Sequence, residues 1–100
     1  MQFRVGFGRK AREDLLALYD HIAANAGAER GMDYAGRVER ACLGLADFPA
    51  RGAPRDDIRP ALRVLAFQRR VLIAYTVADA EVRILRILYG GRQFGDDDPA

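Results

Sequence analysis

Residues 70–88 read Arg70-Val71-Leu72-Ile73-Ala74-Tyr75-Thr76-Val77-Ala78-Asp79-Ala80-Glu81-Val82-Arg83-Ile84-Leu85-Arg86-Ile87-Leu88. Two runs rich in β-branched side chains flank the short break Ala78-Asp79-Ala80. Such a pattern predicts two antiparallel strands, 70–77 and 81–88, joined by a turn. Val71, Ile73, Tyr75 and Val77 share one face of the first by period two. Another strand, Leu62 to Phe67, precedes them across a tight turn at Gln68-Arg69, and Gly90-Gly91 ends the last strand.

Upstream, Pro49, Gly52, Pro54 and Pro60 mark residues 49–61 as a loop. Before that loop, apolar residues recur at spacings of three and four. Ala11, Leu15, Leu18, Tyr19, Ile22, Ala23 and Ala26 predict an amphipathic helix over 9–26, with Arg12, Glu13, Asp20 and Asn25 off the stripe. Tyr34, Ala35, Val38, Ala41, Cys42 and Leu45 predict a second over 29–47, which Pro49 closes. Gly27 stops the first helix and makes the pair an antiparallel hairpin. At the start, Phe3, Val5 and Phe7 alternate with Gln2, Arg4 and Gly6 as in a strand, and Gly8 serves as N-cap.

The order β-α-α-β-β-β predicts a two-layer α+β domain over residues 1–94, with an acidic, frayed tail at 95–100. A helix hairpin that returns to the end where the first strand finished makes the first and last strands antiparallel neighbours. The sheet is then antiparallel, in the order 1-4-3-2, with the helices on one face. Arg86 stands between Ile84 and Leu88 in period-two register, and a charge beneath the helices is costly. Val82, Ile84, Arg86 and Leu88 are therefore assigned to the open face, and Leu85 and Ile87 to the helix layer. That open face then carries aliphatic side chains among arginines, a surface suited to a partner.

Composition excludes several chemistries. The chain has 100 residues, no serine, and one each of threonine (Thr76), histidine (His21), cysteine (Cys42) and lysine (Lys10). A Ser-His-Asp triad is impossible, a clustered His/Cys metal site is disfavoured, and Lys10 precedes Ala11, so no P-loop is present. No cofactor and no metal are expected. A lone cysteine fits a reducing, cytoplasmic setting, and no apolar run approaches the ~18 residues of a membrane span. Of 16 basic residues, 15 are arginine. Residues 50–94 carry nine basic and four acidic side chains, a net +5, which points to an anionic partner surface.

Three segments together carry a family resemblance: Arg59-Pro60-Ala61-Leu62-Arg63, Val71-Leu72-Ile73-Ala74-Tyr75, and Ile84-Leu85-Arg86-Ile87-Leu88-Tyr89-Gly90-Gly91-Arg92. With Ala11-Arg12-Glu13-Asp14-Leu15, Tyr19-Asp20-His21-Ile22-Ala23, and the spacing of Tyr34, Cys42, Leu45, Pro49 and Gly52, the chain resembles the ParE branch of the RelE/ParE toxin superfamily over residues 3–93. It departs at Tyr89, where the family often has histidine, at Gln93, often aspartate, and at Gly8, often serine or threonine. The resemblance implies a toxin of a type II toxin–antitoxin pair that poisons DNA gyrase without catalysis of its own. It implies neutralisation by a ParD-like antitoxin and no sequence-specific DNA binding by this chain. Target-facing residues are then Arg86, Tyr89, Gly90, Gly91 and Arg92; antitoxin-facing residues are Val82, Ile84, Arg86, Leu88 and Arg63. The alternatives are a RelE-type, ribosome-dependent mRNA endoribonuclease, or a non-toxic antitoxin-binding relic. Against the nuclease stands the expectation that no histidine lies near Arg86, Tyr89 and Arg92.

Overall fold

The structure, a computed structural model, describes residues 2–90. Strand β1 (Arg4–Phe7) leads into helices α1 (Arg9–Ala26) and α2 (Ala28–Leu43), and a 3-10 turn (Gly44–Ala46) closes the second helix. A two-residue strand β2 (Ala53–Pro54) lies in the loop, followed by β3 (Arg63–Phe67), β4 (Val71–Ala78) and β5 (Glu81–Tyr89). The sheet order is β1-β5-β4-β3-β2. The α+β architecture and the order of the four long strands are as expected from the sequence. The short β2 is an addition, pairing with Arg63 and Val64 inside what reads as a loop. The acidic tail lies outside the described residues.

Gly27, at φ +100°, is the single residue between the helices, a conformation that a side chain resists. Close packing of the hairpin depends on Gly31. A Cβ there would stand 3.0 Å from the Tyr19 carbonyl oxygen and 3.1 Å from Ala23. The helices press Ala11, Leu18, Val38 and Cys42 onto Val71, Ile73, Tyr75, Val82, Ile84 and Ile87 of the sheet. Burial pushes the Cys42 thiol up to about 12, with Glu39 adding to the effect, so Cys42 is a packing residue rather than a nucleophile.

One direction is reversed from expectation. β1 pairs parallel with β5, from Arg4 opposite Glu81 to Phe7 opposite Ile84, so the sheet is mixed. The cause is the brevity of β1. It ends beside the middle of β5, and α1 carries on in the same direction, with Asp14 against Ile87 and His21 against Tyr89. α2 then brings the chain back to the starting end of β1, where the Phe3 N–H donates to the Ala46 carbonyl (2.9 Å). β3 therefore starts at the same end as β1, and two hairpins later β5 runs alongside it.

The assignment of faces on β5 also needs correction. Tyr75 pairs with Ile84 but Ala74 pairs with Arg86, which leaves Leu85 as an extra, bulged residue. The alternation changes phase there. Val82 and Ile84 before the bulge, and Ile87 and Tyr89 after it, all pack toward the helices. Val82 and Ile84 are 0% exposed, so neither lies on an open face. Leu88 does fall opposite to Ile87, but it too is buried.

Residues 49–52 are tied to the sheet by Tyr75. Its hydroxyl donates to the Pro49 carbonyl (2.8 Å) and accepts the Gly52 N–H (2.8 Å). Arg63 reinforces the same loop through the carbonyls of Ala50 and Gly52. Tyr75→Phe strands the buried Gly52 N–H and should cost about 1–3 kcal/mol in urea denaturation. A loss below about 0.5 kcal/mol would mean that the loop rehydrates without penalty.

Candidate functional site

The C-terminal end of β5 gathers several chemistry-bearing side chains. The pairing of β1 with β5 stops at Phe7 opposite Ile84, and beyond it the edge of β5 has no strand partner on that side among the described residues. Asp14 of α1 fills the place. Its carboxylate accepts the Ile87 backbone N–H (2.9 Å) together with Arg86 Nε (2.7 Å) and Nη2 (3.0 Å). Arg86 is 4% exposed, and the carboxylate holds its guanidinium charged by raising its pKa against the opposing effect of burial. One acidic side chain thus caps a sheet edge and compensates a buried cation.

Beyond Arg86, Tyr89 sits in an aromatic cluster. The His21 ring lies 5.3 Å from it, tilted by 57°, and Tyr34 lies 6.3 Å away, edge-on. Phe67 lies 6.1 Å from Tyr34, also in a T-shaped arrangement. The Tyr34 hydroxyl is buried with no hydrogen-bond partner among the described residues, and burial raises its pKa, helped by Tyr89. Gly90 turns the chain away at φ +75°, its N–H on the Arg70 carbonyl. A small cleft between α1 and β5 is lined by Asp14, Leu18, His21, Ile87, Tyr89 and Gly90.

A second surface lies across the helix hairpin. Phe7, Leu15, Leu16, Tyr19, Met32 and Ala35 line an open apolar groove, with Arg12 and Glu39 also along it. Leu16 is 63% exposed and Met32 68%, large apolar side chains presented to solvent on neighbouring helices.

The sequence-derived site residues divide accordingly. Tyr89 and Gly90 come together at the end of β5, while Gly91 and Arg92 lie outside the described residues. Arg86 is engaged by Asp14 in the interior instead of facing a target. Val82 and Ile84 belong to the core, Leu88 is buried, and Arg63 holds the 50–52 loop. Two residues were missed. Asp14 stands three residues after Ala11 and four before Leu18, on the buried stripe of α1, where a carboxylate demands a buried cation. His21 continues that ridge, so the expectation of no histidine near Tyr89 is corrected. Among the described residues no cluster of three His, Cys, Asp or Glu side chains could hold a metal, and no helix is long and apolar enough to cross a membrane.

Comparison with known proteins fits this geometry. The chromosomal ParDE toxin–antitoxin system from P. aeruginosa contains a chain that superposes with a TM-score of 0.78 at 28% identity, covering 88% of this chain and 96% of that one. The RelBE2 toxin–antitoxin complex from Mycobacterium tuberculosis shares the fold, with a TM-score of 0.65 at 24% identity, over 90% of this chain and 100% of that one. Among curated proteins no sequence matches. The sequence profile of the ParE toxin of the type II toxin–antitoxin system parDE matches residues 5–94, nearly the whole chain. The chain belongs to the ParE toxin family of type II toxin–antitoxin systems.

Proposed function

We infer that this toxin inhibits DNA gyrase and is held inactive by a ParD-like antitoxin. The observation that carries the reading is the ParE profile over residues 5–94, and the likeness to a chromosomal ParDE system supports it. The buried placement of Val82 and Ile84 turns attention from the sheet to the helix hairpin as the antitoxin's seat. The groove there suits an amphipathic helix, whose apolar stripe would cover Leu16 and Met32. The target-facing part is the segment Tyr89-Gly90-Gly91-Arg92, of which Tyr89 closes β5.

The endoribonuclease reading retains one specific support, the His21 imidazole beside the Tyr89 phenol. RNA cleavage also needs a cation on the phosphate, and Arg86 is turned inward to Asp14. The gyrase reading needs neither acid nor base.

Induced alone, the chain should stop growth of a susceptible host, and co-expression of the ribbon-helix-helix protein from the adjacent reading frame should restore it. Normal growth on full induction of soluble chain would overturn the reading.

A further inference from the structure

We propose that this chain has a nucleic-acid contact surface, separate from the hairpin groove and bordering the end of β5 at Arg70, that binds the phosphodiester backbone of duplex DNA without regard to sequence. It is built where α2 meets the β3–β4 hairpin. Arg37 and Arg40 of α2 and Arg51 of the loop line a shallow pocket floored by Ala41, Ala66 and Phe67. Arg69 and Arg70 project from the adjoining turn, and Arg70, like Arg37, acts electrostatically on the Tyr34 hydroxyl. All five arginines are exposed. Arg37 has a carboxylate partner in Asp33, at 3.6 Å on the open helix surface. Among the described residues the other four have none within ion-pair distance, and no acidic side chain lines the pocket.

The turn strengthens the case. Gln68 and Arg69 adopt φ +51° and +61°, left-handed backbone that suits glycine and penalises a side chain. Arginine stands where folding alone would favour glycine. Forked guanidiniums around a shallow, apolar floor match phosphate oxygens spaced along a backbone. Phe67 is the one aromatic ring lining the pocket, half-buried and in T-shaped contact with Tyr34, whereas a single strand needs a row of rings on which successive bases stack. That favours a duplex over a single strand, and contact to phosphates over reading of bases.

The test is fluorescence anisotropy of two labelled 20-base-pair duplexes of unrelated sequence, titrated with the full-length chain over a range of salt. A single strand and a polyglutamate peptide serve as competing probes. Both duplexes should bind alike, with log K falling linearly against log salt. Arg40→Glu and Arg51→Glu should each weaken binding about tenfold and lower the salt slope by roughly one. Arg69→Gly should do the same while its thermal midpoint stays level or rises, which separates binding from folding. Arg4→Glu and Arg83→Glu, on β1 and β5 across the sheet, change net charge equally and should leave binding within about twofold of the parent. Equal weakening by all these Arg→Glu variants would reduce the effect to net charge and overturn the proposal. So would tighter binding of polyglutamate than of the duplex, which would reassign the surface to an acidic peptide. Stronger binding of the single strand would reject the duplex assignment.

Discussion

Asp14→Ala should lose about 3–5 kcal/mol of folding stability, a large share of the roughly 5–15 kcal/mol that a domain possesses. The carboxylate is 11% exposed and Arg86's side chain 5%, so the pair is inside the protein and little screened by water. Removing it strips a buried guanidinium of this counter-charge. It also removes the acceptor for the Ile87 N–H at the strand edge. Asp14→Asn, which keeps the shape and one acceptor, should fall between the two. The double change Asp14→Leu with Arg86→Met should recover much of the loss, because apolar residues of similar volume replace the ions without stranding either. Urea denaturation followed by circular dichroism measures all four proteins. A loss under about 1 kcal/mol for Asp14→Ala would show that the pair rehydrates freely and does not organise the end of β5.

The second large effect is expected in binding. Leu16→Asp combined with Met32→Asp should weaken antitoxin affinity at least about 100-fold, or roughly 3 kcal/mol. Both side chains are exposed in the free chain and become buried under the proposed helix. Covering each contributes about 1.5–3 kcal/mol, and an aspartate there adds the cost of a desolvated charge. The same exposure means that folding should change by less than about 0.5 kcal/mol. Calorimetric titration of the variant with the antitoxin, beside its thermal midpoint, separates the two effects. Unchanged affinity would remove the antitoxin from the hairpin groove.

Most elements were legible in the sequence because each depends on local rules. The stripe from Ala11 to Ala26 fixes α1, Gly27 fixes its end, and the β-branched runs around Asp79 fix the hairpin of β4 and β5. What was not legible depends on geometry between elements. Four residues of β1 are too few to carry the chain across the sheet, so α1 continues the rise and β1 becomes parallel to β5. The period-two reading of β5 fails at Leu85 because no residue type there announces a bulge. The error over Val82 and Ile84 follows directly, since the whole even-numbered series was assigned by the face of Arg86. Arg86 itself was misjudged because Asp14, 72 residues away in sequence, makes its burial tolerable. His21 was overlooked for the same reason: its neighbour Tyr89 becomes visible only once α1 lies along β5.

The most direct measurement of the central claim is ATP-dependent supercoiling of relaxed plasmid by purified gyrase, titrated with the full-length chain. mRNA on translating ribosomes is followed in parallel. Supercoiling should be inhibited, or cleaved DNA should accumulate. The antitoxin should reverse the effect, and the mRNA should remain intact. Codon-positioned mRNA cleavage with gyrase unaffected would contradict the account and give the function to the His21–Tyr89 end of the sheet.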